Sequence, residues 1–116
     1  MKENLKQRTK SFALAIIEMT ALIPNHTAGR VIQGQIIKSS TSIGANYRSA
    51  LRGRSKAEFI SKIGIVEEEA DETVYWLELL EESKIIEQEV IHPLLDEANQ
   101  LTAIFTSMGK TAKSKK

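Results

Sequence analysis

The 116-residue chain has no cysteine, which excludes disulfides, thiolate nucleophiles and cysteine-ligated metals. That absence does not decide the compartment, because a small secreted domain need not carry a disulfide. Aromatic residues make up only 5% of the chain. Between Arg30 and Lys56 the one aromatic interleaved with the basic residues is Tyr47, so stacking on nucleic-acid bases is not indicated. No stretch approaches the ~20 apolar residues of a membrane span. Glu18 interrupts the apolar run over residues 12–17, and no small-residue cleavage pattern follows it. A bacterial cytoplasmic protein without a membrane role is the default expectation.

Catalytic signatures are missing too. Serines are plentiful, but no nucleophile elbow surrounds any of them. A phosphate-cradling loop is excluded because Gly53 stands alone between Arg52 and Arg54. Glu69 and Glu72 have the spacing found in helical di-iron sites, but such sites also need histidine partners from other helices. The chain has only His26 and His92, which read as isolated loop or cap residues. No enzyme, metal or cofactor is therefore expected.

What is present suits one soluble globular domain: 41% hydrophobic and 27% charged residues, in a chain long enough to bury a core. The net charge of +1 conceals a strong asymmetry. Residues 1–29 carry +2, residues 30–62 carry +6, residues 63–100 carry −11 and the remainder +4. Between Glu18 and Glu58 there is no carboxylate. The chain is a charge dipole, and that points to partners of opposite sign or to copies of itself.

Four segments have helical periodicity and none has strand alternation. Leu5, Thr9, Phe12, Ile16, Met19 and Ile23 form one stripe, which Pro24 closes. Asn25 and Thr27 are both suitable N-caps for a second helix, on which Ile32, Ile36, Ile43, Tyr47 and Ala50 share a face. Gly53 breaks that helix, and Ser55 with Glu58 reads as a capping box for the third. There Phe59, Ile63, Val66, Ala70, Thr73, Leu77 and Leu80 follow a four-three heptad pattern. The fourth stripe is Leu94, Ala98, Leu101, Phe105 and Met108, with Pro93 suiting the first turn and Gly109 the stop. Short connections favour antiparallel neighbours. The expected fold is an all-α, up-down-up-down antiparallel four-helix bundle over residues 1–109. Its helices are expected near 4–23, 26–52, 55–83 and 90–108, with a flexible Lys-rich tail at 110–116.

The second helix has an unusual centre: Ser39, Ser40, Thr41, Ser42, Ile43, Gly44, Ala45 and Asn46 are small or polar and poor helix formers. One reading is a tight helix crossing with the hydroxyls bonded to backbone carbonyls. The other is a buried polar network in which Gln35 and Asn46 answer Glu69 or Glu72 and set register or oligomer contacts.

The same run, from Gln35 through Ser39, Ile43, Gly44, Asn46, Tyr47 and Arg48 to Ala50, resembles the signature of the 23S rRNA intervening-sequence protein family. The likeness continues through Ser55, Lys56, Ala57, Glu58, Phe59, Ile60 and Lys62, then Glu68 to Thr73 and Tyr75 to Leu80. It spans roughly residues 10–108. Lys38 stands where that family commonly has Arg, keeping the charge but losing a bidentate fork. Ser49 stands where it commonly has Glu, which removes an acid. The resemblance implies a homo-oligomer, a pentameric ring with a basic surface. It also implies kinship with the accessory variability determinants, which bind nucleic acid and a reverse transcriptase.

Charge placement carries the functional expectation. On an ideal helix Arg30, Lys38, Arg48 and Arg52 fall at about 0°, 80°, 0° and 40°, opposite an apolar cluster at about 200–260°. Arg54, Lys56 and Lys62 extend this outward cationic stripe. A stripe of one sign can neutralise successive phosphates of RNA or DNA, giving sequence-independent, salt-sensitive binding. The plainer reading is the solvated side of an amphipathic helix. A competing one pairs these cations with Glu67, Glu68, Glu69, Asp71 and Glu72 inside one subunit or, in a ring, of the neighbouring subunit; the second arrangement makes the protein a self-assembly scaffold with no nucleic-acid role. Tyr75 and Trp76 suit an oligomer interface because of their large area.

Overall fold

The computed structural model describes residues 4–115, and residues 1–3 and Lys116 of the expected bundle and tail lie outside that range. It contains α1 (Leu5–Thr20), α2 (Thr27–Leu51), α3 (Lys56–Glu82) and α4 (Gln88–Ser114). Each helix packs on its neighbours in chain order, and α1 also meets α4, which closes the ring. Cross-helix pairs run in opposite directions: Thr9 approaches Gly44, Ser39 meets Thr73, and Glu81 meets His92 while Glu67 meets Thr106. The result is an up-down-up-down antiparallel four-helix bundle of 49 × 26 × 21 Å.

The stripes read from spacing form the core. Ile63, Val66, Ala70, Thr73, Leu77 and Leu80 of α3 are fully buried, as are Ile36 and Ile43 of α2 and Ala98, Leu101 and Phe105 of α4. Phe59 alone of the α3 stripe is half-buried. The Phe105 ring sits 5.3 Å from that of Tyr47, centroid to centroid, and links α2 to α4 across the core.

The small polar run of α2 takes the first of its two readings. Ser39, Ser40, Thr41 and Ser42 each bond a carbonyl three or four residues back. Thr73 Oγ1 lies 2.8 Å from both Ser39 Oγ and the carbonyl oxygen of Glu69, so every buried hydroxyl is satisfied without a separate network. Gly44 lets α1 approach closely, since a Cβ there would fall 2.9 Å from Thr9 Oγ1.

Several boundaries differ from the expectation. The N-cap of α2 is His26, whose Nδ1 accepts the Gly29 amide at 2.9 Å. Asn25 and Thr27 instead accept hydrogen bonds from the Arg30 guanidinium. Ser55 caps α3 as expected, but Glu58 reaches the Arg54 amide at 3.2 Å rather than that of Ser55. Pro93 lies inside α4 and not in its first turn, because the helix already starts at Gln88. At its other end α4 runs past Gly109 to Ser114, through residues expected in a tail. The reason is tertiary: Gly109 is buried against Ile63 of α3. Met108 and Ala112 line a groove with Phe59 of α3, so the last turns have something to pack on.

Candidate nucleic-acid interface

The antiparallel topology decides where the charges meet. The start of α1, the end of α2, the α2–α3 turn, the start of α3 and the end of α4 all lie at one end of the bundle. That end carries Lys6, Lys10, Arg48, Arg52, Arg54, Lys56, Lys110 and Lys113, with Glu58 as a local carboxylate. The other end, formed by the α1–α2 and α3–α4 turns, carries Glu78, Glu81, Glu82, Glu87 and Glu89.

Of the seven cations expected to bind phosphate, Arg30, Lys38, Arg48, Arg52, Arg54 and Lys56 are exposed and Lys62 is half-buried. None of the seven has a carboxylate within ion-pair distance among the described residues, where the ion pairs are Arg8–Glu97 and His92–Glu81. They do not form one site. Arg30 sits at the first turn of α2, about 33 Å along the axis from Arg52, and its guanidinium is occupied by Asn25 and Thr27. Lys38 acts electrostatically on Glu69 of α3. Arg48 turns toward α1, where it lines a groove with Lys6 and Lys10. Those two lysines escaped notice in the sequence because only packing places α1 beside the end of α2. The residual signal was the absence of acid between them and Glu18.

The polar quartet is not brought together. Asn46 donates to the Ser42 carbonyl at 2.9 Å, and Glu72 accepts from Trp76 Nε1 at 3.2 Å. Gln35 is exposed and has no side-chain hydrogen bond among the described residues. The Glu69 carboxyl is pushed up from its ordinary range by partial burial, then by the Glu72 charge with a smaller push from Glu68, against the opposing effect of Lys38. Burial also pushes up the Tyr47 phenol, which stays neutral at physiological pH. Tyr75 is 52% exposed and its ring meets that of Trp76 edge-on at 5.1 Å.

Glu89 precedes His92 by three residues, a Glu-x-x-His spacing. His92 Nε2 is nonetheless 2.8 Å from Glu81 Oε2, and no group of three or more potential metal ligands occurs among the described residues. No helix among them is long and apolar enough to cross a membrane.

The sequence pattern over residues 2–107 matches the model of the 23S rRNA-intervening sequence protein family. The chain belongs to that family. A solved structure from Bacteroides thetaiotaomicron, described as a protein of unknown function from the S23 ribosomal protein family, superimposes with a TM-score of 0.83. It is 35% identical, and the likeness covers 90% of this chain and 97% of that one. No curated protein matches the chain. Membership thus establishes the bundle and leaves the activity of the intervening-sequence protein to be argued from its own surface.

Proposed function

We propose that this intervening-sequence protein is a non-enzymatic accessory protein that binds the phosphate backbone of nucleic acid without sequence preference. The reading rests on one observation: the exposed cations Arg48, Arg52, Arg54 and Lys56 cluster at one end of the bundle with no carboxylate in ion-pair distance among the described residues. Unpaired, solvated cations can release the counterions of a polyanion. The rings nearest them, Tyr47 and Phe59, are half-buried against the core, so the contact is electrostatic.

Fluorescence anisotropy with a labelled single strand, repeated at several salt concentrations, tests this. Affinity should fall steeply with salt, and replacing Arg48 and Arg52 by Ala should reduce the slope of log K against log salt by about 1–2. Absence of binding at low salt refutes the proposal.

A second reading is self-assembly with no nucleic-acid role, favoured by the exposed Tyr75 beside Trp76 on the acidic α3. Rings of oppositely charged ends would loosen as screening increases. Light scattering that gives a monomer at every salt concentration ends that reading, and a salt-dependent oligomer abolished by Tyr75→Ser supports it.

A further inference from the structure

The α1–α2 groove has a composition that the proposed function does not itself require. It is lined by short side chains, including Ala13, Gly44 and Ala45, together with Lys6, Lys10 and Arg48. The cavity is about 520 Å³ and open to solvent. Its shape follows from the close approach at Gly44 and Thr9, since larger residues on either helix would fill the space between them. No carboxylate is found among its described lining residues, and none of its three cations is in an ion pair among the described residues. Three like charges gathered around one depression repel one another, and a bound anion relieves that repulsion.

We propose that this groove seats phosphates of the nucleic-acid backbone, with Lys6, Lys10 and Arg48 as its ligands. The inference rests on the proposed function and moves its centre from the cations around the α2–α3 turn to the seam between α1 and α2. Lys6 and Lys10 are one helical turn apart, about 6 Å, so they are placed to meet neighbouring anionic groups along a strand. Arg48 supplies a planar fork that can bond two oxygens of one phosphate. The lysines act as point charges and the arginine sets orientation.

The test uses the full chain, a labelled single-stranded oligonucleotide and three single variants of equal charge change. Lys6→Gln and Lys10→Gln lie in the groove. Lys84→Gln lies in the α3–α4 turn at the other end. All three side chains are exposed, and circular dichroism checks that the fold is retained. Each groove variant is expected to weaken binding about three- to ten-fold at low salt and to lower the salt slope by roughly 0.7. Lys84→Gln should change affinity less than about two-fold.

Lysine acetylation mapped by mass spectrometry gives an independent readout: the oligonucleotide should protect Lys6 and Lys10 but not Lys84. If wild type binds with strong salt dependence while the groove variants behave like Lys84→Gln and wild-type Lys6 and Lys10 gain no protection, the groove assignment is wrong and the backbone-binding function stands. If wild type does not bind, both fall. Competition by millimolar inorganic phosphate as effective as that by unlabelled oligonucleotide would make the groove a site for free phosphate and overturn the assignment to a backbone.

Discussion

Replacing Gly44 by Ala tests how closely α1 and α2 are held. An ideal Cβ at this position would lie 2.9 Å from Thr9 Oγ1 and 3.3 Å from Thr9 Cβ. The hydroxyl cannot move aside freely, because it donates to the Leu5 carbonyl at 2.7 Å. No rotation moves Thr9 Cβ, so the two helices must separate. Overpacking of this kind costs about 1–3 kcal/mol, whereas Ala in a helix interior is favoured over Gly by about 1 kcal/mol. The net expectation is a loss of about 1 kcal/mol.

Gly64 provides the comparison, since a Cβ there meets nothing within 4 Å. Gly64→Ala should therefore gain about 1 kcal/mol from propensity and reduced unfolded-state freedom. The same chemical change at the two positions should have opposite signs, separated by about 1–3 kcal/mol. Urea denaturation measures this directly, with the midpoint shifting and the slope unchanged. Adding Thr9→Ala to Gly44→Ala should show a favourable coupling of at least about 0.5 kcal/mol. If Gly44→Ala is stabilised as much as Gly64→Ala, the close α1–α2 approach is not what glycine serves here.

Three further perturbations follow from named contacts. Phe105 is fully buried and packs on Tyr47, so Phe105→Ala should cost about 3–5 kcal/mol; thermal unfolding would show it, and a loss below ~1 kcal/mol would contradict the packing. Lys84 terminates α3 with φ of 63°, a left-handed conformation that glycine adopts without penalty, so Lys84→Gly should raise stability by about 1 kcal/mol in urea titrations. The raised Glu69 carboxyl binds its proton more tightly folded than unfolded. Its contribution is complete below the ordinary 4.5 and is lost as pH rises through the folded value. Stability of Glu69→Gln relative to wild type should therefore increase from acidic toward neutral pH, and a pH-independent difference would refute the assignment.

Much of the fold was legible because burial and helical period coincide. The α3 stripe from Ile63 to Leu80 needs only four-three spacing to be recognised, and an apolar face of that period has one way to leave water. The capping serine at residue 55 and the break at Gly53 are equally local. Gly109 was not legible: a glycine after an apolar stripe reads as a stop, and only its contact with Ile63 of another helix makes it interior. His26 displaced the better-propensity caps Asn25 and Thr27, whose side chains are held by Arg30 instead.

Charge shows the same division. The chain alone determines four charge blocks, three positive and one strongly negative, because that is composition. Which blocks become neighbours depends on helices running up and down, and it is this arrangement that places Lys6 and Lys10 beside Arg48, far away in sequence. Periodicity acts within one helix and is written in consecutive residues, whereas a groove belongs to two helices and exists only once they pack.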